Sequence, residues 1–197
     1  MRTLASFLIV CVVGLSSVSP GQTAQNTASG NYRVDAVMTG GGTLLEGAAE
    51  VYVLDSQGDV VARRHAVPAM FDLGGEDFTA VVVYGNARGR GAIGPGTQPG
   101  ANALNLEAGE VRLDLVKPDG SRVPSRDLSW RVYRYRPDIQ RGPEVVVTHA
   151  ARAHLILDAG WYEVQARHAG QSSSSSTREH LIEVKAGRER TYSIVTD

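Results

Sequence analysis

The sequence predicts an all-β protein in which two β-sandwich modules follow a signal peptide. Three observations predict this fold class. Apolar and polar residues alternate, turn residues separate the alternating segments, and the segments recur in the same order in both halves of the chain. Alternation with a period of two places one face of a strand on a core and the other toward water. The sequence shows no capped segment with the 3.6-residue period of an amphipathic helix.

The first element is a three-part export signal. Met1-Arg2 gives a positive start, residues 4–15 are apolar, and residues 16–24 are small and mostly polar. This is the layout of a secretory signal peptide, and the apolar run is shorter than the ~20 residues that span a bilayer. We therefore expect residues 1–24 to be removed, leaving a periplasmic or secreted protein without a membrane span.

Cys11 lies inside that apolar run and is the only cysteine of the sequence. Bulky Ile9 and Val10 precede it, which disfavours the alternative of a lipid-modified cysteine. We therefore expect the mature chain to have neither a disulfide nor thiol chemistry. The 20 basic and 21 acidic residues of the full sequence nearly cancel, whereas a nucleic-acid-binding protein usually carries a basic face.

The remaining chain is one module written twice. Four pairs of segments match in order at spacings of 78 to 84 residues. They are residues 32–37 with 111–116, 51–53 with 130–132, 71–82 with 155–166, and 104–110 with 182–188. We predict a short tail over residues 25–30, module 1 over residues 31–109 and module 2 over residues 110–197. The segment 110–116 could instead close module 1, and without a Pro/Gly/Ser linker there the modules should pack end to end.

Strands are separated by turn residues, of which Ser56–Asp59, Lys117–Gly120 and Asp158–Gly160 are examples. Proline presets φ for a turn and glycine accepts positive φ. Short strands at intervals of about ten residues are typical of a sandwich or barrel. We predict that Trp130 and Tyr162 face the core of their module.

Two segments are predicted as loops at equivalent tips of the two modules. Residues 85–100 are rich in glycine and proline, and residues 171–177 contain a serine tract. Arg88 and Arg90 make the first tip a candidate anion contact. Residues 89–94 also spell the G-x-G-x-x-G pattern, but Pro95-Gly96 prevents the helix start that a dinucleotide site requires. No cofactor is therefore expected.

The five histidines invite a metal site, but none has the spacing of known ligand motifs. Alternation directs His154 outward and His168 toward the core, while His149 and His180 are expected to be solvated. No metal is expected. The sequence shows neither a nucleophile elbow nor a serine with a base at fixed spacing, so no catalytic residue is assigned.

Residues 157–164 (LDAGWYEV), followed by a loop and then by residues 184–187 (VKAG), carry a resemblance. This unit is similar to the hairpin of carboxypeptidase-regulatory-like and prealbumin-like modules, and to repeats that accompany von Willebrand A domains in bacterial exported proteins. Module 1 departs from it, since residues 74–78 (GGEDF) replace the Gly-x-Tyr element. The resemblance implies two tandem immunoglobulin/prealbumin-like β-sandwich domains with structural, adhesion or binding roles and no catalytic residues.

The segment Trp130–Tyr135 carries the most informative surface pattern. If Trp130 and Val132 face the core, then Arg131, Tyr133 and Tyr135 share the outer face. Exposed tyrosines beside arginine can seat a protein partner or stack a sugar ring, or they can simply pack against each other. Trp161 alternates with Tyr162 and is a further exposed aromatic candidate.

The sequence thus predicts an exported, non-catalytic sandwich protein that acts as a structural or protein-binding module in the cell envelope. Its expected partner is an envelope protein or a polysaccharide. Two alternatives remain open: a carbohydrate-binding module that uses the exposed aromatics, and a hydrolase whose active site has no recognised motif.

Overall fold

A computed structural model describes residues 30–75, 77–123, 128–169 and 175–195. The described residues form fourteen β-strands, listed in chain order: β1 (Tyr32–Val37), β2 (Gly47–Leu54), β3 (Val60–Val67), β4 (Ala69–Phe71), β5 (Phe78–Tyr84), β6 (Ala87–Ile93), β7 (Ala103–Asn105), β8 (Ala108–Val116), β9 (Leu128–Arg136), β10 (Gln140–Thr148), β11 (Arg152–Asp158), β12 (Gly160–Ala169), β13 (Ser175–Val184) and β14 (Glu189–Val195). No helix of the described residues is long and apolar enough to cross a membrane. The signal peptide predicted at residues 1–24 lies outside the described residues.

Each sandwich consists of a four-stranded and a three-stranded sheet with the same strand order. The first sandwich has the sheets β3-β2-β5-β6 and β4-β1-β7, and the second has β10-β9-β12-β13 and β11-β8-β14. In both small sheets the central strand pairs antiparallel with one neighbour and parallel with the other. The prediction of two tandem all-β sandwiches is confirmed.

The strand registers show which sequence matches reflect the repeat. Residues 32–37 form β1 and residues 111–116 lie in β8, and the next two matches also fall on equivalent strands. The fourth match is wrong: residues 104–110 cover β7 and the start of β8, whereas residues 182–188 cover the end of β13 and the turn after it. Both segments contain an Ala-Gly pair near their end, but the true counterpart of β7 is β14, which runs parallel beside the first strand of its sandwich.

Two separate hydrophobic cores fill the sandwiches. The first contains buried residues from Tyr32 to Ala108, and the second contains buried residues from Val111 to Ile194. β8 pairs with β11 and β14, so it belongs to the second small sheet. The division of the cores between Ala108 and Val111 supports the proposed module boundary at residues 109 and 110.

The two predicted core aromatics are buried, Trp130 at 0% and Tyr162 at 1% exposure. Trp130 donates its indole N–H to the Ala150 carbonyl at 3.0 Å. The Tyr162 hydroxyl donates to the Asp158 carbonyl at 2.8 Å, which ties the start of β12 to the preceding turn. The resembled Gly-x-Tyr element therefore fixes a turn as well as filling the core.

The first sandwich secures the equivalent turn in a different way. Phe78 stands at the position of Tyr162 and has no hydroxyl, but the Tyr32 hydroxyl donates to the Gly75 carbonyl at 2.6 Å. The Tyr32 ring meets the Phe78 ring edge-on at a centroid distance of 5.6 Å. The anchoring hydroxyl has thus moved from the fifth strand of the sandwich to the first.

The loop predicted over residues 85–100 is wrong for residues 87–93, which form β6. Gly89 faces inward, where a Cβ would stand 2.8 Å from Leu106 Cδ2 and 3.2 Å from the Asn105 carbonyl oxygen. The glycines of this segment thus allow β7 and the residue after it to close over the core. The loop prediction is also wrong for residues 175–177, which lie in β13; residues 171–174 are outside the described residues.

The segment that pairs in parallel with β1 contains an insertion relative to its counterpart in the second sandwich. Tyr32 pairs with Gly96 and Asp35 pairs with Ala103, which are seven positions apart, whereas the matching partners beside β8, Arg190 and Ser193, are three positions apart. The four extra residues of the first sandwich form a bulge over the outer side of β1. Asp35, beneath it, is fully buried.

Asp35 holds this bulge in place. Its carboxylate accepts the Gly100 N–H at 2.7 Å and pairs with the Arg33 guanidinium at 3.0 Å. The side chain of Arg33 is 22% exposed, so the cation reaches water while the carboxylate does not. Asn102 closes the bulge by donating its amide to the carbonyls of Arg33 and Gly94 at 2.9 Å.

The two sandwiches meet without a linker, as expected from the sequence. The Asn86 N–H donates to the Ile156 carbonyl at 3.0 Å, and the Ala159 N–H donates to the Glu107 carbonyl at 2.6 Å. The side chain of Ile156, on β11 of the second sandwich, packs against the core of the first. The junction therefore consists of backbone hydrogen bonds and buried apolar surface.

Candidate binding surface

The outer face of the sheet β10-β9-β12-β13 carries all four surface candidates of the sequence. We call it the Trp161 face and define it by Arg131, Tyr133 and Tyr135 of β9, Trp161 of β12, and the outward residues beside them. Arg131 is exposed, Tyr133 and Tyr135 are half-buried, and Trp161 is 48% exposed. Alternation correctly placed these residues on one face. Their role in binding stays a prediction.

Arg141 of β10 covers the centre of the Trp161 face. Its guanidinium lies 5.0 Å from the centroid of the Tyr133 ring, within the range of cation–π contacts. It also donates from Nε to Glu163 at 2.8 Å and from an Nη to Glu179 at 2.9 Å. Glu163 and then Glu179 raise the pKa of the Arg141 guanidinium. The ring of Tyr133 is therefore already occupied by a side chain of its own sheet.

Gln165 extends the same network by donating its amide to Glu163 at 3.2 Å and to Glu179 at 2.9 Å. At the neighbouring position, Arg131 lies 3.6 Å from Glu144. A hydrogen bond with Tyr133, together with Glu144, raises the pKa of the Arg131 guanidinium. The middle of the face is thus a bonded polar layer, which restrains the side chains but leaves little apolar surface.

A pair of exposed apolar side chains lies at one end of this layer. Trp161 stands opposite Glu183 in the β12–β13 ladder, and Leu181 stands opposite Glu163. Trp161 and Leu181 are therefore diagonal neighbours, a separation that aromatic and long side chains can bridge. They are 48% and 51% exposed, and both belong to regular strands.

The backbone under Trp161 is held from the core side. Besides its bond to Asp158, the Tyr162 hydroxyl accepts a hydrogen bond from Arg134 at 2.5 Å. Arg134 also donates to the Ala159 carbonyl at 3.1 Å. Burial raises the pKa of Tyr162 above its ordinary value of 10, partly offset by the charge of Arg134. These contacts fix the start of β12, so Trp161 projects from a rigid support.

Arg88 and Arg90 do not form a tip loop, because both lie on the regular strand β6, where they point outward. The reason for the error is the glycine content, which resembles that of a turn but here serves close packing. Arg90 borders a cleft of about 390 Å³. The other lining residues come from the β2–β3 turn, from the residue before β5, and from β5 and β6: Asp55, Ser56, Gln57, Gly58, Asp77, Phe78, Thr79, Ala92 and Ile93.

The histidines are dispersed. His149 is exposed, and His154 is exposed and contacts Glu110 at 2.9 Å. The prediction of a solvated His180 is wrong, because its Nε2 is buried and has no partner among the described residues. His180 shares a face of β13 with the core residues Ile182 and Val184, which alternation could have shown. The described residues contain no group of three His, Cys, Asp or Glu side chains able to hold a metal ion.

Sequence reasoning missed the two residues that complete the Trp161 face. Leu181 was within reach, because alternation with Ile182 and Val184 puts it outside. Arg141 was not, because β10 changes register twice, between Arg141 and Glu144 and between Glu144 and Val146. Such bulges change which side chains face outward.

The sequence matches no known family model and no curated protein. Among solved structures, the TIE protein of Bacillus anthracis is 18% identical with a TM-score of 0.35; the match covers 83% of this chain and 32% of that protein. The chain thus spans about a third of that protein's length. A candidate cell adhesion protein of Bacteroides uniformis is 11% identical with a TM-score of 0.36, covering 85% of this chain and 94% of that one. A minor pilin of Streptococcus agalactiae is 13% identical with a TM-score of 0.30, covering 83% and 94%. At these scores the similarity identifies no function for this chain.

Proposed function

We propose that this chain is an exported, non-catalytic module that binds a protein partner in the cell envelope through the Trp161 face. The observation that carries the proposal is the pair Trp161 and Leu181, two large apolar side chains that lie about half exposed beside each other on regular strands. Aromatic residues and arginine are enriched in protein interfaces, and tryptophan and tyrosine dominate their hot spots.

The polar layer beside this pair suits a protein interface. A typical interface has an apolar centre and a polar rim. Here Trp161 and Leu181 form the apolar part, and the bonded side chains of Arg141, Glu163 and Glu179 form the adjoining rim. Because the rim is already hydrogen-bonded, little side-chain entropy is lost when a partner covers it.

Carbohydrate binding fits the same face less well. A sugar ring stacks on the open face of an aromatic ring, but the guanidinium of Arg141 lies over Tyr133. Of the other aromatic rings on this face, Trp161 is 48% exposed and Tyr135 is half-buried, which together make a small platform for a polysaccharide. We therefore favour a protein partner.

The test is capture from an envelope extract with residues 25–197 as immobilised bait. A stoichiometric protein partner should be retained by the wild-type chain and lost from Trp161→Ala/Leu181→Ala. Val60→Thr/Val61→Thr is the matched control, since Val60 and Val61 are 58% and 48% exposed on β3 of the first sandwich. Retention of the partner by the Trp161 variant, or its loss from the control, would refute the assignment of the surface. Polysaccharide captured by the wild type and lost with Trp161→Ala would favour the carbohydrate alternative.

A further inference from the structure

One edge of the sheet β10-β9-β12-β13 is a long, regular strand. Among the described residues, β13 is the longest strand at a sheet edge, and ten consecutive pairs join it to β12 without a register shift. The edge strands β3 and β10 both contain register shifts, and such bulges protect an edge from pairing with another chain. Residues 175–184 (SSTREHLIEV) also contain neither proline nor lysine, which protect edges in other proteins. The backbone of β13 is therefore suited to pairing with a further strand.

A hydrogen bond from Tyr192 shows which backbone groups of β13 point away from β12. Tyr192 lies on β14, outside this sheet, and its hydroxyl donates to the Glu183 carbonyl at 2.7 Å. In an antiparallel pair, the N–H and C=O of one residue point to the same side, and the sides alternate along the strand. The backbone groups of Glu179 and Leu181 therefore also point away from β12. No strand among the described residues pairs with them there.

The equivalent edge of the first sandwich is closed at both ends by side chains. β6 is the counterpart of β13, and Gly94 stands at the place of Glu183. The Gly94 N–H donates to the Asn102 side-chain oxygen at 3.0 Å, and the Asn102 amide donates to the Gly94 carbonyl at 2.9 Å. At the other end, the Arg88 N–H donates to the Asp158 carboxylate at 3.2 Å. On β13, the hydrogen bonds of the described residues occupy this edge at the Glu183 carbonyl alone.

The open edge of β13 adjoins the apolar pair of the Trp161 face. Leu181 has an outward side chain that is 51% exposed, and its backbone groups belong to the open edge. Two positions away, Glu179 shares the single guanidinium of Arg141 with Glu163. A segment that pairs with β13 therefore meets an apolar side chain and, two positions along, an excess of negative charge.

We propose that the protein partner adds an extended segment to the open edge of β13, which continues the sheet by one strand. The backbone of the segment bonds to Glu179 and Leu181, an apolar side chain packs against Leu181, and a lysine or arginine two positions away pairs with Glu179. In such strand addition, main-chain hydrogen bonds give affinity and alternate side chains give specificity. This inference rests on the proposed function and names the kind of segment that the partner supplies.

The experiment measures binding of the captured and purified partner to residues 25–197 carrying Glu179→Pro. Proline removes the outward N–H and its ring obstructs an added strand, whereas an edge strand tolerates proline where the N–H faces solvent. The dissociation constant should rise at least about 10-fold. Arg90→Pro makes the same change at the equivalent place on β6 and should bind as the wild type does. Glu179→Ala, which removes the side chain alone, should weaken binding less than Glu179→Pro, and circular dichroism checks that each variant is folded.

Residue-resolved amide exchange of the purified complex gives a second readout, which a contact through side chains alone does not change. The amides of Glu179 and Leu181 should exchange at least about 10-fold more slowly in the complex, because they become hydrogen-bonded to the added strand. The amides of His180 and Ile182, which point toward β12, should change less.

Unchanged exchange at Glu179 and Leu181, or equal losses of affinity for Glu179→Pro and Glu179→Ala, would overturn the inference. If the partner is lost from Trp161→Ala/Leu181→Ala but binds Glu179→Pro as it binds the wild type, strand addition fails and the proposed function stands. If the wild type captures no protein partner, or if the Trp161 variant retains it, both fail.

Discussion

Replacing Asp35 by alanine should destabilise the first sandwich far more than replacing its repeat counterpart Asp114 destabilises the second. Both aspartates occupy the same position of the central strand of a small sheet, and both contact an arginine. They differ in burial. The Asp35 side chain is 0% exposed and its partner Arg33 is 22% exposed, whereas Asp114 is 21% and its partner Arg152 is 54% exposed.

The magnitude follows from what each alanine leaves behind. Breaking a buried ion pair by removing one partner costs about 3–5 kcal/mol of unfolding free energy. Asp35→Ala also leaves the Gly100 N–H without its acceptor. Since Arg33 can still reach water, we expect the lower end, about 3 kcal/mol. For Asp114→Ala, an exposed pair predicts at most about 1 kcal/mol.

Urea unfolding followed by circular dichroism measures both free energies, and thermal unfolding gives a second readout. A loss of about 3 kcal/mol corresponds to a Tm lower by roughly 6–12 °C for a chain of this size. Asp35→Asn keeps the shape and an acceptor oxygen, so it should fall between the wild type and the alanine variant. Equal losses for Asp35→Ala and Asp114→Ala, or a loss below about 1 kcal/mol for Asp35→Ala, would refute the assignment of Asp35 as the anchor of the bulge.

Three further predictions concern packing, titration and coupling. Gly89→Ala should lower the free energy of unfolding by about 1–3 kcal/mol, because its Cβ would stand 2.8 Å from Leu106 Cδ2. Gly74→Ala, with no heavy atom within 4 Å of its Cβ, is the control. Equal losses of the two variants in urea unfolding would contradict the close-packing explanation. Tyr162 should ionise above the ordinary tyrosine pKa, since burial raises its pKa. The stability linked to this group is then fully present below pH 10 and is lost as the pH rises through the folded-state pKa. An ultraviolet titration in which Tyr162→Phe removes an ordinary rather than a late-ionising tyrosine would contradict this. Ile156→Ala should weaken the coupling of the two sandwiches. Because both tryptophans, Trp130 and Trp161, belong to the second sandwich, fluorescence and circular dichroism should then give separate urea transitions, whereas coincident curves would show that Ile156 does not couple them.

Alternation was sufficient to predict side-chain orientation in the strands that have one solvent-exposed and one buried face. It placed Arg131, Tyr133 and Tyr135 outside and Trp130 inside, because neighbouring residues of a strand must point to opposite sides. It failed for β6, where the inward positions include Gly89 and Gly91 and the composition is that of a turn. Those glycines face Leu104 and Leu106 from the opposite sheet, so their role depends on a contact that no local pattern contains.

The bulge over Asp35 was hidden for a related reason. It is an insertion into the segment that pairs with β1. Aligning β7 with β14 would have revealed it, but the fourth sequence match aligned β7 with the end of β13 instead. A buried carboxylate cannot be recognised from its own strand when the covering residues follow it by more than sixty positions. Likewise, Arg141 lies beyond a change of register in β10, and only the paired backbone shows that it reaches Tyr133 and Glu163.

The linker-free junction has a mechanical consequence. A chain pulled at its two ends transmits the force from one sandwich to the next through the short segment between β7 and β8. Outside this segment, the Asn86 N–H donates to the Ile156 carbonyl across the junction, and within it the Glu107 carbonyl accepts the Ala159 N–H. A flexible linker would extend before force reached either sandwich, whereas here the junction itself bears force as soon as the ends move apart. Under tension the two modules therefore respond as one stiff unit rather than as two independently moving domains.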